Sequence, residues 1–131
     1  MNITKHELYW LVGLLEGEGH FRLHVTRANG TGSPKIDLKM TDEDVMYRAA
    51  DIMSRLSGKP CLVTVNYSTN YKDSFQIQIY GERAMSVMRA IVKLMGNRRR
   101  KQIWQALNRY SPNHPFRVAP QQKEANAFTR S

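Results

Sequence analysis

The 131-residue sequence predicts an α+β fold in which a four-stranded antiparallel sheet carries helices on one face only. Three observations predict it. The spacing of apolar residues switches from the helical period to the strand period and back, twice over. Each alternating run is apolar on one side and polar on the other, as in antiparallel strands with one face packed and one wet. The length is that of about one domain, and a 41% hydrophobic content suffices for a single core.

The elements follow in the order αββαββα(α). Thr4-Lys5-His6-Glu7 is a capping-box sequence that opens a helix from Lys5 to Gly17. Leu8, Leu11, Val12 and Leu15 recur there at helical spacing, and Gly13 and Gly17 share a face with Trp10 and Leu14. Two glycines cost this helix roughly 1 kcal/mol each relative to alanine; close approach of another backbone would offset that. From His20 to Ala28, Phe21, Leu23 and Val25 alternate with His20, Arg22, His24 and Thr26, which predicts a half-buried strand. Asn29 to Pro34 reads as a turn, and Lys35 to Thr41 as the second strand of a hairpin.

Thr41 is expected to cap a second helix, with Val45, Ala49, Ile52, Met53 and Leu56 inward and Gly58 as its stop. A third strand is expected over Cys61 to Tyr67, a loop over Ser68 to Asp73, and a fourth strand over Phe75 to Tyr80. A third helix from Glu82 to Met95 stops at Gly96, and Arg98 to Arg109 forms a fourth. The folded domain is expected to span residues 1–110. Residues 111–131, with three prolines, read as an extended tail.

Charge is unevenly spread. Twenty Lys and Arg oppose eleven Asp and Glu, giving +9 overall. Residues 1–82 hold nine basic and ten acidic groups, whereas residues 83–131 hold eleven basic groups and the single acid Glu124. A domain with one strongly positive end suits a polyanion, with nucleic acid the first candidate. One cysteine, Cys61, excludes an intrachain disulfide framework and a cysteine-cluster zinc site, and its apolar run makes it a buried small hydrophobe. No stretch approaches the roughly 20 apolar residues of a membrane span. The expectation is a soluble protein with no membrane partner, acting in a reducing compartment.

The outward strand positions are His20, Arg22, His24, Thr26, Lys35, Asp37, Lys39, Thr64, Asn66, Gln76, Gln78 and Tyr80. Arg and Lys pair with guanine, Asn and Gln with adenine, and Asp with cytosine, so this set suits base-edge readout in a major groove. A merely solvated face would serve as well with glutamates, yet Asp37 is the one carboxylate in the set. His20 and His24 lie roughly 13 Å apart in an extended chain, too far for one metal. Arg98, Arg99, Arg100 and Lys101 crowd four cations at a helix start, where the dipole disfavours them; phosphate contact gives them a use.

Leu11-Val12-Gly13-Leu14-Leu15-Glu16-Gly17-Glu18-Gly19 resembles the LAGLIDADG motif of homing endonucleases, and the string Trp10 to Phe21, WLVGLLEGEGHF, matches in kind at almost every position. With the element order that follows, the resemblance covers residues 4 to about 110. It implies a saddle-like sheet set on double-stranded DNA and a catalytic divalent metal, Mg²⁺ or a relative such as Mn²⁺, held by Glu18 with the Gly17 carbonyl as a further ligand. Glu stands where the motif name has Asp. The resemblance also implies a structural role for Glu16, a water-positioning role for Asp42, and a charge-stabilising role for Arg98 or Arg99. One motif copy implies a homodimer packed through Trp10, Gly13, Leu14 and Gly17. The reading is a site-specific endonuclease of intron-homing type cutting a long near-palindrome; the alternatives are a cleavage-inactive RNA maturase or DNA-binding regulator of the same family, and a small basic RNA-binding protein.

Overall fold

The computed structural model describes residues 2–25 and 32–108. The expected tail from 111 onward and the strand positions past Val25, Thr26 among them, lie outside the described residues. Among the described residues, four helices and four strands follow in the expected order: α1 Lys5–Glu18, β1 His20–Val25, β2 Gly32–Met40, α2 Glu43–Ser57, β3 Thr64–Asn66, β4 Ser74–Tyr80, α3 Gly81–Ile91 and α4 Asn97–Asn108. The strands form one antiparallel sheet in the order β1-β2-β4-β3. Phe21, Ile36, Leu38, Ile77 and Ile79 turn one sheet face into the core, where Leu11 and Leu15 of α1, Met46, Ile52 and Met53 of α2, Met88 of α3 and Ile103 of α4 complete it. The opposite face carries the polar positions. Cys61 is buried and free, as expected.

The capping box forms in full: the Glu7 N–H donates to Thr4 Oγ1 and the Thr4 N–H to Glu7 Oε1, each at 3.0 Å. Gly58 closes α2 with φ 75°, a left-handed position open to glycine at no steric cost. Four boundaries depart from expectation. Asp42, not Thr41, caps α2, its Oδ1 accepting from the Val45 N–H at 3.2 Å; the helix begins at Glu43, so Asp42 is the flanking residue whose side chain reaches the unpartnered N–H of the third helical position. Gly32 to Pro34 belong to β2 rather than a turn, paired with Val25 to Leu23. They lie beyond the end of β4, so this stretch is a sheet edge, where proline is tolerated.

The third strand is only three residues long. The Cys61 N–H donates to Ser54 Oγ at 2.8 Å, which commits that backbone to α2 instead of to β4. The third helix gives way to a 3₁₀ turn at Val92–Leu94, closed by the Met95 N–H donating to the Val92 carbonyl at 3.3 Å, and the Arg100 guanidinium takes the carbonyls of Lys93 and Met95 at 3.3 and 3.2 Å.

Helix α1 is tied to α2 by an ion pair between residues 48 positions apart in the chain. Arg55 donates to both oxygens of Glu7, at 3.0 and 2.6 Å, and also to Asp51 and to the Asn2 carbonyl. The Arg55 bonds, aided by the Thr4 N–H, hold the Glu7 carboxyl down at about 2, against an ordinary value of 4.5. A depressed carboxyl stabilises the fold above its unfolded value and loses that contribution as pH falls through its folded value. The stability advantage of the wild type over Glu7→Gln is therefore expected to be full at pH 7, to shrink below about pH 4.5 and to vanish near pH 2. Urea midpoints of both proteins across that range check it; a difference unchanged down to pH 2 would remove the ion pair from the account.

Candidate nucleic-acid interface and acidic motif

The motif helix presents two acids with different fates. Glu16 is half-buried, and its Oε1 accepts from the Gly96 N–H at 2.8 Å, at the start of α4. Its backbone carbonyl accepts from Arg99 Nε at 3.0 Å. A carboxylate at a helix N-terminus is favourable with the dipole and offsets the cations that follow. The structural role expected of Glu16 is thus visible: it joins the end of α1 to the start of α4. Glu18, the last residue of α1, is exposed and has no hydrogen-bond or ion-pair partner among the described residues. Gly17 beside it is one of the last residues of the helix, where carbonyls lack intrahelical donors.

The basic run divides by geometry. Arg99 is 6% exposed, bonded to the Glu16 carbonyl and to Gln102 Oε1 at 3.1 Å. It is not a free phosphate contact. Arg100 is half-buried, and its guanidinium donates to the carbonyls of Lys93 and Met95. Arg98 and Lys101 are exposed. Arg99→Ala is accordingly expected to cost roughly 1–3 kcal/mol, the loss of a charged donor from a part-buried carbonyl, whereas Arg98→Ala should stay within about 0.5 kcal/mol of wild type. Urea denaturation of the two variants checks the ranking, and equal losses would contradict it.

Antiparallel pairing places the end of β2 and the start of β1 at the same end of the sheet, so Asp42 and Glu18 share that end. The Asp42 carboxylate is engaged as the cap of α2. Among the described residues no three His, Cys, Asp or Glu side chains converge as a metal site. One carboxylate and one carbonyl per chain nevertheless suit Mg²⁺, which keeps several waters and takes one or two carboxylates together with phosphate oxygens.

On the polar sheet face, Arg22, His24, Lys39, Thr64 and Gln78 are exposed, and Tyr80 is 41% exposed. Lys35 shares this face but is only 6% exposed, which corrects its place among outward groups. Its register partners are Arg22 and Tyr80, and its ammonium lies 5.2 Å from the centroid of the Tyr80 ring, against which His24 packs edge-on. Asp37 is also recessed: Oδ2 lies 3.6 Å from the Arg22 guanidinium, and Oδ1 accepts from Gln76 Nε2 at 3.0 Å. Both oxygens are directed at neighbours rather than outward to a cytosine.

At its two glycines, α1 meets no described side chain. A Cβ built at Gly13 or Gly17 has no described atom within 4 Å, and both residues are exposed. Leu14 is half-buried. Trp10 is half-buried beneath the Arg48 guanidinium, 4.2 Å from the ring centroid. Of the apolar residues in this helix only Leu11 and Leu15 are fully buried. No helix among the described residues is long and apolar enough to cross a membrane.

No protein-family model matches the chain, and neither does any curated protein sequence. Solved structures do match it in fold. The LAGLIDADG meganuclease I-AabMI, bound to uncleaved DNA, is 15% identical, with a TM-score of 0.53 over 73% of this chain and 33% of its own. The homing endonuclease I-CvuI, in complex with uncleaved DNA in the presence of Mg, is 10% identical, with a TM-score of 0.57 over 79% of this chain and 67% of its own. A second I-CvuI complex, with its target and Ca, gives 0.56. The chain therefore spans about a third of I-AabMI and two thirds of I-CvuI. Its fold is that of the LAGLIDADG homing endonucleases.

Proposed function

We propose that the chain is one half of a homodimeric, divalent-metal-dependent endonuclease that cuts duplex DNA at a long, near-palindromic site. The observation that carries this reading is α1 itself: a helix apolar on most sides, with an empty glycine face, ending on the exposed and unengaged Glu18. Two copies packed through that face around a twofold axis bring two Glu18 carboxylates together and set two polar sheet faces side by side along a duplex. In this reading Glu18 and the Gly17 carbonyl hold Mg²⁺, which when bound polarises a phosphate and lowers the pKa of a water. Arg98, exposed at the start of α4, is the cation available to the scissile phosphate. Arg99 is committed to Glu16 and serves to hold that helix start in place. Arg98 and Lys101 add phosphate contacts, and each one neutralising a phosphate steepens the salt dependence of log K by about 0.9.

The test is selection from a deep randomised duplex library, with Mg²⁺ and with EDTA, and sequencing of the cut ends. Cuts at one long near-palindrome in Mg²⁺ alone are the expected result. Enrichment of a bound sequence without any cut would instead favour a maturase or DNA-binding regulator on this fold, a reading to which the engagement of Asp42 as a helix cap lends itself.

A further inference from the structure

We infer that Asp37 on β2 is a positioning residue for sequence recognition, the anchor of a polar ladder of one ion pair and two hydrogen bonds that sets the donor and acceptor edges of base-reading side chains on the other three strands. The inference rests on the DNA-reading role proposed above for the sheet face. The ladder runs diagonally across the sheet. Arg22 on β1 lies 3.6 Å from Asp37 on β2. Gln76 on β4 donates to Asp37 at 3.0 Å, and Asn66 on β3 donates to Gln76 Oε1 at 3.5 Å. The register pairs Asp37 with His20 and Gln78, and Gln76 with Lys39 and Thr64, so every link joins diagonal neighbours. Such neighbours lie within reach of long side chains.

The chemistry of the anchor fixes the polarity of the rest. A carboxylate can only accept, whereas an amide can present either its oxygen or its NH₂ group. Gln76 must therefore turn its NH₂ group toward β2, which leaves Oε1 toward β3. Asn66 must then present its own NH₂ group to Gln76, which leaves its oxygen on the far side. The guanidinium of Arg22, 58% exposed, is drawn over the sheet by the same carboxylate, itself 16% exposed. Adenine asks an amide for one acceptor and one donor in a given order, and guanine asks for two donors. An amide with a fixed orientation distinguishes them; a freely flipping one does so poorly. Asp37 thus acts on bases it does not touch.

Asp37→Asn keeps the size and removes the acceptor-only character. Binding selection from a randomised duplex library, with the intact protein and the variant in parallel, gives the base preference at each position. The expected result is a simultaneous loss of preference, roughly 5- to 100-fold at each, at separate base pairs that Arg22→Ala and Gln76→Ala relax individually. In a Gln76→Ala background, Asp37→Asn should add nothing at the position Gln76 reads. Relaxation at a single base pair distinct from those two would make Asp37 a direct reader and overturn the inference, as would an unchanged profile. A wild-type protein that enriches no sequence would overturn the DNA-reading role of the face, and the inference with it; that outcome is distinct because it appears before any variant is compared.

Discussion

Glu18→Gln is expected to abolish metal-dependent cutting, by roughly 10³-fold or more, while leaving duplex affinity near that of the wild type. The size follows from the several kcal/mol that a bound metal supplies to developing charge at a phosphate. The selectivity follows from position. Glu18 is exposed and has no partner among the described residues, so the amide replaces it without disturbing a packed or bonded neighbour. A carboxylate in the last turn opposes the helix dipole, so the substitution should raise stability by a few tenths of a kcal/mol. Loss of activity with a gain in stability separates a metal ligand from a structural acid. Glu16→Gln provides the contrast: its carboxylate meets the Gly96 N–H, so that variant should lose stability, with any loss of cutting following from displacement of α4. Cleavage of the selected site by both variants in Mg²⁺, with binding measured in parallel in Ca²⁺, checks the pair. If Glu18→Gln cuts as well as wild type, the metal assignment fails. A regulator, a maturase or an RNA-binding protein would have no cutting to lose and would keep its binding unchanged.

What was legible in the sequence was local. The capping box at Thr4 and Glu7, the stop at Gly58 and the alternation of Phe75 to Tyr80 depend on residues a few positions apart, and the structure contains each of them. The departures come from interactions between distant residues. Period-2 alternation places Lys35 on the polar face correctly, yet cannot show that it is buried there with its ammonium over the ring of Tyr80, its partner on β4. A run of four cations cannot show that Arg99 finds the Glu16 carbonyl and Arg100 the carbonyls of Lys93 and Met95. The Arg55 bridge to Glu7 spans 48 residues and carries no local signal. Only the mismatch between the cost of cations at a helix start and their presence there hinted that some were bound elsewhere. The diagonal ladder around Asp37 likewise requires the register, which alternation alone does not specify.

Gly13→Ala and Gly17→Ala are expected to change the sign of their effect with protein concentration. Neither glycine has a positive φ, and a Cβ at either meets no described atom within 4 Å. In the isolated chain each substitution should therefore stabilise α1 by about 0.8–1 kcal/mol, the ordinary preference of a helix for alanine. If two copies of α1 pack through this face, the same methyl groups hold the backbones apart and association weakens. The wild-type melting temperature should then rise with concentration, as it does whenever a partner binds only the folded chain. That of the double variant should be higher than wild type at the lowest concentrations and nearly flat thereafter. Sedimentation at matched concentrations should show wild-type dimers and variant monomers, and the variant should lose cutting on both strands, because two Glu18 carboxylates no longer meet. A double variant that is more stable at every concentration and still dimeric would place the interface elsewhere. The two glycines would then be a net cost to α1 with no structural return among the described residues.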